Sequence, residues 1–570
     1  MNLFLTPIVL MKIFNRFALF FVLITALGFS GATLAAQIDS GNVFRELIDN
    51  NQTIKNAVDP ANVPEIKDSR PKRVIVPLGT DEDLPVEVKT IEVVGDMPED
   101  VPVEEISAIL TKPKTITRMS QLKALAQQIE DLVHTKGYPA FRVIVPDQEI
   151  FNGRVRFFAY NGKIDKVVNI KGNPKRIDPE LLQRYFEDLI KTGGFKRLDF
   201  ERTMLLINDL PGVKAKLILN PGREPGLIDA DLEVTEGAPV RWNVVADNYG
   251  SSSTGKGRLT AISKLDDLTG AGDRLTVLGT MTAQNLYAGM IDYKRPIGVS
   301  GLVGGVNVLA SNYQSEANAT SLASQGHNQS YEANLSYPLL LQFGKNLYVD
   351  GSYASRDFYT SVAGTQAQIE NIQVGKAGLR GGFTDTFLNG ASTFGNYYYY
   401  SGTVFPQQGY ATTNPAAYQK TTFGLVRAQT LPAGFNLLLS WSGQRTDNLL
   451  DSSEQFALGG VNAVRAYGPS AVFANKANLF SAELGKDLAS AGDYGIIKSS
   501  VFYDQGNDIS DPIYGSGMLR GAGVSLSLQK WGFYELKVIY AHRIGTFNGG
   551  TLLDDGTQTG RAWVSLSTFF

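Results

Sequence analysis

The sequence predicts an α+β N-terminal region followed by an all-β barrel that spans a membrane. From Pro239 to Phe570, apolar and polar residues alternate in steps of two, which places one face of each strand in an apolar medium and the other in water. No apolar run in this region reaches the roughly 20 residues of a membrane-spanning helix. The 58 glycines and 24 tyrosines are typical of membrane barrels, although a large secreted β-protein could share this bias.

The N-terminus predicts export. Lys12 and Arg16 precede an apolar stretch, residues 17–29, and small side chains follow up to Ala36. This order is typical of a secretory signal peptide over residues 1–36, with cleavage near Ala36. The alternative is a membrane anchor, which is disfavoured because the apolar stretch is too short to span a bilayer. An exported chain with an alternating barrel is expected in the bacterial outer membrane.

Residues 37–85 are predicted to form a short helix and a linker. An amphipathic pattern at Val43–Ile48 indicates the helix, and a run punctuated by prolines and charges indicates the linker. The pattern leaves open whether this helix occupies the pore of the resting barrel.

Two α+β modules are predicted over residues 86–161 and 162–237. Both follow the order β-α-α-β-β, at a spacing of roughly 75 residues. In the first module, strands are expected at Lys89–Val94, Phe141–Val145 and Val155–Tyr160, with helices at Val103–Leu110 and from Ser120 to Gly137. In the second, strands are expected at Lys163–Ile170, Val213–Leu219 and Ile228–Val234, with helix caps at Asp178, before Pro179, and at Asp199.

The barrel is predicted over residues 238–570. At roughly 20 residues per strand and loop, this region holds about 16 antiparallel strands. The last strand shows the alternation: one face carries Ala562, Val564, Leu566, Thr568 and Phe570, and the other carries Arg561, Trp563, Ser565 and Ser567.

The composition argues against several classes of function. A net charge of −3 gives no basis for a nucleic-acid partner, and the lack of cysteine excludes disulfides and thiolate metal sites. Three histidines, far apart in sequence, predict neither a metal centre nor a catalytic triad, so no cofactor and no enzymatic activity are expected. The segment Gly250–Lys256 imitates a phosphate-binding loop, but Gly257 stands where a hydroxyl side chain should bind magnesium, and no nucleotide site is predicted.

Several motifs occur in a fixed order along the chain. They are Gly137-Tyr138, Arg142-Val143, the run from Leu206 to Val213, Asp247-Asn248-Tyr249-Gly250, Thr254-Gly255, Tyr293–Gly298, Ser453-Glu454-Gln455-Phe456, Gly459-Gly460, Val464-Arg465-Ala466-Tyr467 and Phe502-Tyr503-Asp504-Gln505-Gly506. From about residue 86 to its end, the chain resembles a two-partner secretion transporter of the haemolysin secretion/activation family. In that family, polypeptide-transport-associated (POTRA) domains precede a transmembrane barrel.

The resemblance implies that a long loop folds back into the barrel lumen. Arg465 at its tip would meet Asp504 of a barrel strand, with Tyr467, Phe502 and Gly506 around the pair. A guanidinium group suits this role because it bonds a carboxylate through two parallel hydrogen bonds. The simpler interpretation makes Arg465 an exposed loop charge and Asp504 a turn residue.

One residue of the loop departs from the family pattern. Ala466 replaces the usual glycine, which would cost roughly 1 kcal/mol if the position required a positive φ.

Two other sets of residues are candidates by the same resemblance. A motif at the start of the barrel comprises Asp247, Asn248, Gly250, Thr254 and Gly255. The terminal Phe570 resembles the signal by which outer-membrane barrels are recognised for insertion, and it would also serve as ordinary lipid-facing packing.

The resemblance also implies partners. A TpsA-like exoprotein of the adhesin or haemolysin type would be captured unfolded in the periplasm, by addition of a strand to a POTRA sheet edge, and moved through the barrel. Candidate edges are Phe141–Val145, Val213–Leu219 and Ile228–Val234. Outer-membrane lipid and lipopolysaccharide would surround the barrel, and the barrel-assembly machinery and periplasmic chaperones would act during biogenesis. A barrel-assembly insertase of the same superfamily and a passive porin are the alternatives.

Overall fold

The computed structural model describes residues 65–68, 84–111, 116–164, 168–192, 196–224, 226–315, 323–408, 416–469, 471–509, 517–547 and 558–570. The predicted signal peptide and the predicted helix at Val43–Ile48 lie outside these residues. Within them, no helix combines the length and the apolar character needed to cross a bilayer. The chain forms two α+β modules and a closed barrel.

The first module contains a three-stranded sheet and two helices. In chain order, after the upstream strand β1 (Glu65–Asp68), its elements are β2 (Pro85–Val88), β3 (Thr90–Gly95), α1 (Val103–Thr111), β4 (Ile116–Arg118), α2 (Met119–Thr135), β5 (Arg142–Ile144) and β6 (Arg154–Tyr160). The sheet has the order β3-β6-β5, and β2 pairs separately with β4. The apolar stripe of α2, including Leu122, Ile129 and Val133, is buried together with Phe157 of the sheet and Phe141, which precedes β5. The helical spacing seen in the sequence therefore gives the core of this module.

The second module repeats this plan. Its elements are β7 (Lys163–Ile164), β8 (Asn169–Lys171), α3 (Pro179–Thr192), α4 (Arg197–Asn208), β9 (Val213–Pro221) and β10 (Leu227–Glu236). Asp178 caps α3 through a 2.9 Å bond from the backbone N–H of Glu180, as predicted. The cap predicted at Asp199 is wrong, because α4 begins at Arg197 and Asp199 lies in its first turn.

The linker prediction is wrong for one short segment. The strand β1, which belongs to residues 37–85, pairs in parallel with β9, and the sheet of the second module therefore has the order β1-β9-β10-β7, with β8 also beside β10. No local pattern announces a four-residue strand whose partner lies much later in the chain.

The two modules contact each other through polar groups. The Lys196 ammonium lies 2.9 Å from Asp100, and the Tyr138 hydroxyl also donates to Asp100. These two bonds, that from Tyr138 first, hold the pKa of the Asp100 carboxyl below its ordinary value. The backbone N–H of Arg197 donates to the carbonyl of Gly137 at 2.8 Å, which adds a main-chain link between the modules.

The barrel has sixteen strands, as the sequence predicts, and all neighbours in it are antiparallel. In chain order the strands of this region are β11 (Val240–Asp247), β12 (Arg258–Asp266), β13 (Arg274–Thr282), β14 (Leu286–Pro296), β15 (Val303–Ser315), β16 (Ser324–Gln342), β17 (Lys345–Val362), β18 (Thr365–Asp385), β19 (Ala391–Gln408), β20 (Ala416–Thr430), β21 (Phe435–Arg445), the separate short pair β22 (Phe456–Ala457) and β23 (Phe473–Ala474), then β24 (Ala477–Ser490), β25 (Ile496–Asp508), β26 (Met518–Lys530), β27 (Tyr534–Arg543) and β28 (Gly560–Phe569). Pairing of β11 with β28 closes the barrel.

The second module is attached directly to one end of the barrel, at the turn after β14 and at β16. The Arg202 guanidinium of α4 donates to the backbone carbonyls of Ser300 and Pro338, at 3.0 and 3.1 Å. Gly301 has a positive φ, and a Cβ there would lie 2.7 Å from the side chains of Leu206 and Pro338, so the close approach requires glycine. The motif run that begins at Leu206 thus packs against the barrel.

Candidate functional site

A long loop between β21 and β24, residues 446–476, lies against the inner face of the barrel; we call it the lumen loop. Its tip turns sharply at Gly460, where φ is +113°, and the Val464 N–H donates to the Leu458 carbonyl at 3.1 Å. A Cβ on Gly459 would lie 2.3 Å from the carbonyl oxygen of Gly468, so only glycine fits there. The two glycines of the motif therefore shape the turn that presents Arg465.

The structure brings Arg465 and Asp504 together. The guanidinium Nε and Nη2 each lie 2.8 Å from one carboxylate oxygen of Asp504, and the Arg465 backbone N–H donates to the same carboxylate at 3.1 Å. Arg465 is 7% exposed and Asp504 is fully buried. This is the bidentate geometry expected of a strong charge-assisted pair, and the simpler interpretation of Arg465 as an exposed loop charge is incompatible with it.

Two further groups bind the same guanidinium, and the sequence did not identify either of them. Arg465 Nη1 donates to Glu483 at 2.6 Å, and Nη2 donates to the hydroxyl of Ser481 at 3.2 Å, both on β24. Ser481 in turn donates to Asp504 at 2.7 Å. One cation is thus shared between two carboxylates.

The aromatic residues of the motifs enclose the pair. The guanidinium carbon of Arg465 lies 3.4 Å from the ring centroid of Phe502, and the carbon of Arg543 lies 4.3 Å from the ring centroid of Tyr467. The indole N–H of the fully buried Trp563 donates to the Arg465 carbonyl at 2.8 Å. The tip of the lumen loop therefore contacts strands β24, β25, β27 and β28 with polar and cation–π interactions.

Close packing leaves little room for a side chain at the two glycine positions that face the tip. A Cβ on Gly506 would lie 3.0 Å from Val464 and 3.1 Å from Leu458. A Cβ on Gly521 would lie 2.5 Å from the Cβ of Ala466. Ala466 does not have a positive φ, so the backbone penalty considered for it does not arise. The alanine methyl is instead accommodated because β26 has a glycine at the facing position.

The base of the lumen loop has a second charged anchor. The Glu454 carboxylate receives the Lys420 ammonium of β20 at 2.7 Å and also pairs with the Arg356 guanidinium of β17. The side chains of Glu454 and Lys420 are each 2% exposed, and that of Arg356 is 12% exposed. The Gln444 amide donates to the Glu454 carbonyl at 3.1 Å. The loop is therefore fixed at two places on the wall, by its base to β17 and β20 and by its tip to β24, β25, β27 and β28.

The barrel-start motif lies at the seam between the first and last strands. Asp247 receives Nε and Nη2 of Arg258, both at 3.0 Å, and the two side chains are 1% and 5% exposed. A Cβ on Gly250 would lie 2.0 Å from the carbonyl oxygen of Gly255, which itself has a φ of +103°. Glycine is required at both positions.

Thr254, the hydroxyl residue of this motif, is buried within the same turn. Its hydroxyl lies 2.8 Å from that of Ser251, and its carbonyl accepts from Thr282. The segment that imitates a phosphate-binding loop is therefore a strand–turn–strand connection from β11 to β12.

Asn248 extends the seam beyond the end of β11. Its side-chain oxygen accepts from the Val564 N–H at 2.8 Å, and its side-chain nitrogen donates to the Ala562 carbonyl at 3.1 Å. The amide group thus replaces a peptide unit in the ladder. At the other end of the seam, the Phe570 N–H donates to the Trp242 carbonyl at 3.0 Å and the Trp242 N–H donates back at 3.1 Å.

Replacement of Asn248 by alanine is expected to weaken the seam. Two hydrogen bonds to the backbone of β28 are lost, which corresponds to about 1–3 kcal/mol at 0.5–1.5 kcal/mol each. The effect is measured as the unfolding temperature of the detergent-solubilised barrel. Samples heated to increasing temperatures are run on semi-native gels in the cold, where folded and unfolded barrels migrate differently. Asn396→Ala on the exposed face of β19 is the matched control; equal unfolding temperatures for the two variants would contradict a role of Asn248 in closing the seam.

Similar proteins agree with this architecture. The family model for haemolysin secretion/activation proteins ShlB/FhaC/HecB matches residues 226–528, more than half of the chain. The heme/hemopexin transporter protein HuxB of Haemophilus influenzae (strain ATCC 51907 / DSM 11121 / KW20 / Rd) is 26% identical over 478 residues, which cover 80% of this chain and 83% of HuxB. The outer membrane transporter CdiB of Dickeya dadantii (strain 3937) is 21% identical over 380 residues, which cover 64% of this chain and 66% of CdiB.

A solved structure shares the fold. CdiB from Escherichia coli superposes with a TM-score of 0.71 at 18% identity, covering 94% of this chain and 100% of that chain. The matched family region contains the whole lumen loop and the strand that carries Asp504. The resemblance seen in the sequence is thereby confirmed, and the chain belongs to the haemolysin secretion/activation family, ShlB/FhaC/HecB, of outer-membrane β-barrel transporters that secrete proteins.

Proposed function

We propose that the chain captures an unfolded exoprotein in the periplasm and passes it through the barrel to the cell surface. The two modules, residues 86–161 and 162–237, would act as POTRA domains, and the barrel, residues 238–570, would be the passage. The contacts of Arg202 with the backbone of the barrel support this arrangement, because they hold the second module at the mouth of the barrel.

The observation that carries the proposal is the lumen loop with its two buried charged anchors. A loop fixed at two places on the inner wall reduces the passage at rest, and a translocating chain has to share the lumen with it or move it. Arg465, Tyr467, Asp504, Phe502 and Gly506 would hold the tip in its resting position. A passive pore has no need of such costly buried charges, since their desolvation is only offset when both partners are present.

The cargo we propose is a large TpsA-like exoprotein of the adhesin or haemolysin type. HuxB is a heme/hemopexin transporter by name, and CdiB is an outer membrane transporter. Membership of a family of transporters is the basis for proposing that the chain has no enzymatic activity of its own.

Contacts with the membrane and with the assembly apparatus are also part of the proposal. Large apolar side chains are exposed around the barrel, among them Tyr287, Tyr353 and Trp441, each between 47% and 55% exposed. These would contact outer-membrane lipid and lipopolysaccharide. The terminal Phe570, which is 64% exposed, would be the residue read by the barrel-assembly machinery after periplasmic chaperones deliver the chain.

Secretion of a candidate exoprotein, ideally one encoded beside this gene, tests the proposal. Cells carrying the wild-type chain, Arg465→Ala, or a deletion of residues 163–236 are compared for cargo at the surface and for the amount of barrel in the outer membrane. We expect cargo to disappear from the surface in both variants while barrel levels stay normal. Arg427→Ala is the matched control, because its ion pair with Asp385 is partly exposed and lies outside the lumen loop.

The same cells separate the two alternatives. General loss of outer-membrane proteins on depletion of the chain would identify an insertase instead. Undiminished secretion in both variants would contradict the proposal and favour a passive porin.

A further inference from the structure

The wall of the barrel is much taller on one side than on the other. Strand β12 has nine residues, whereas β16, β17 and β18 have 19, 18 and 21. A strand inclined at roughly 40° gains about 2.5 Å of height per residue, so a strand like β12 is just long enough for an apolar band of about 25 Å. Strands β16–β18 therefore continue beyond the membrane by roughly 20 Å at this inclination.

The tall part of the wall lies at the end away from the modules. The second module contacts Ser300 and Pro338, at the end of the barrel where β16 finishes and β17 starts. On the outer face of the same strands, Tyr331 and Tyr353 are 50% and 55% exposed. Tyrosines in this position mark the boundary between membrane and water. The part of β17 from Tyr353 to Val362 thus stands above the membrane on the outer side of the cell.

Uncharged amide side chains cover the outer face above these tyrosines. Burial alternates strictly along Ser311–Ser315 of β15 and Ser324–Ser330 of β16, and the exposed members of each run point away from the lumen. On β18, the residues that alternate with the buried Ile372 and Val374 lie on this outer face as well. We call the set the amide face: Asn312, Gln314, Gln325, Gln329, Asn371 and Gln373.

The amide face is poor in the charges that bind phosphate. Among the described residues of β15–β19 above Tyr331 and Tyr353, neither a lysine nor an arginine faces outward; Arg356 points into the lumen, where it pairs with Glu454. Water-exposed surfaces usually carry roughly 25–35% charged residues, and phosphate groups are bound by arginine and lysine. This surface therefore suits a neutral partner that is rich in hydroxyl groups.

Hydrogen bonds hold part of the amide face in place. The Tyr353 hydroxyl donates to the side-chain oxygen of Gln373 at 2.9 Å, and the Gln373 amide donates to Asn371 at 3.3 Å. Asn371 in turn donates to the Asp357 carboxylate at 2.8 Å. An amide offers both donors and an acceptor, which matches the hydroxyl groups of a sugar, and groups that are already ordered lose less entropy on binding.

Two stacked aromatic rings lie on the same face. The ring of His327 is 4.8 Å from that of Tyr359, with the planes inclined by 13°, and the two residues are directly opposite each other on β16 and β17. His327 is exposed. An aromatic ring provides an apolar surface for the C–H face of a sugar ring, while the hydroxyl groups of that sugar bond to neighbouring amides. The combination is suited to recognising carbohydrate.

We propose that the amide face binds the core sugars of lipopolysaccharide and so fixes the tall side of the barrel in the outer leaflet. The position identifies the partner, because the sugars of the surrounding lipopolysaccharide lie directly above the aromatic boundary of the barrel. This inference rests on the contact with lipopolysaccharide that is part of the proposed function, and it names the portion of the lipid and the residues that meet it.

Saturation-transfer NMR on the full chain in detergent micelles tests the binding. The probe is core oligosaccharide that has been released from lipopolysaccharide by mild acid and dephosphorylated, so that a signal reports contact with sugars alone. We expect Asn371→Ala/Gln373→Ala to lower the affinity at least about fivefold, as the loss of two ordinary hydrogen bonds predicts. Gln127→Ala/Gln128→Ala, which removes two amides from α2 of the first module, is the matched control and should bind as the wild type does.

Unfolding temperatures in nanodiscs separate the sources of the contact. The chain is placed in phospholipid, in phospholipid with lipid A, and in phospholipid with lipopolysaccharide that has a complete core. We expect the wild type and the control to unfold at a higher temperature with the complete core than with lipid A, and this difference to shrink in Asn371→Ala/Gln373→Ala.

Three results would overturn the inference. The first is saturation transfer that is absent in the wild type or unchanged in Asn371→Ala/Gln373→Ala. The second is an equal unfolding temperature with lipid A and with the complete core: if both exceed that in phospholipid, only the inference fails, and if all three are equal, the proposed contact with lipopolysaccharide fails too. The third is a photoreactive group at position 373 that crosslinks to the exoprotein and not to lipopolysaccharide, which would make the amide face a surface for cargo.

Discussion

Replacement of Glu454 by glutamine is expected to release the base of the lumen loop from the barrel wall. The carboxylate lies between Lys420 and Arg356, and the side chains of Glu454 and Lys420 are almost completely removed from water. A glutamine amide offers one oxygen as acceptor, while its NH2 group would face the second cation. Removing one partner from such a buried group costs about 3–5 kcal/mol, because an uncompensated charge remains.

Protease digestion of residues 446–476 in outer-membrane vesicles measures the release, and we expect the loop to be cleaved faster than in the wild type. Glu332→Gln is the matched control, because its pair with Lys376 is 3.9 Å long and both side chains are more than a quarter exposed. Partly exposed pairs contribute about 0–1 kcal/mol, so that variant should behave as the wild type does.

A double variant tests the electrostatic cause. Lys420→Met in the Glu454→Gln background removes one of the two stranded cations, and we expect it to restore part of the protection. Equal cleavage of wild type and Glu454→Gln would contradict the role of Glu454 as an anchor.

The tip of the lumen loop was largely predictable from sequence, and its base was not. Arg465 and Asp504 belong to two motifs whose roles the family resemblance supplies. Glu454 also belongs to a motif, but its partners lie on β17 and β20. Alternation shows that Arg356 and Lys420 face the lumen; it does not show which lumen-facing side chains meet across it, because that depends on closure and shear of the whole barrel.

The same limit explains other differences between sequence and structure. The strand count follows from a regular repeat of strand and turn, so sixteen could be predicted. Strand β1 could not, since its four residues carry no alternation of their own and take their conformation from β9. Asp199 was misplaced as a cap because a helix start is uncertain by a turn whenever an acidic residue in the first turn imitates a cap.

Replacement of Arg465 by alanine is expected to be more damaging than replacement of Asp504 by asparagine. The alanine variant strands two neighbouring carboxylates, Asp504 and Glu483, of which the first is fully buried. The asparagine variant leaves Arg465 paired with Glu483 and with the Ser481 hydroxyl. We therefore expect a loss of about 3–5 kcal/mol in docking of the tip for Arg465→Ala, and a smaller loss for Asp504→Asn.

Trp563 provides the measurement, because its indole N–H is bonded to the Arg465 carbonyl at 2.8 Å. Trp242, Trp441 and Trp531 are 47–70% exposed and can be replaced by phenylalanine, which leaves Trp563 as the single fluorophore. Release of the tip admits water to the indole, so the emission of Trp563 should shift to longer wavelength in Arg465→Ala. In a urea titration, this shift should occur at a lower urea concentration in Arg465→Ala than in the parent.

The double variant Arg465→Ala/Asp504→Asn decides whether the stranded charge is the cause. If it is, neutralising Asp504 relieves repulsion with Glu483, and the double variant should hold the tip better than Arg465→Ala alone. Strictly additive losses would mean that the two residues act independently, since only groups that interact show a coupling energy in such a cycle. Arg465→Lys separates charge from shape: it keeps the cation but loses the bidentate bond and the stacking on Phe502, so an intermediate emission shift is expected.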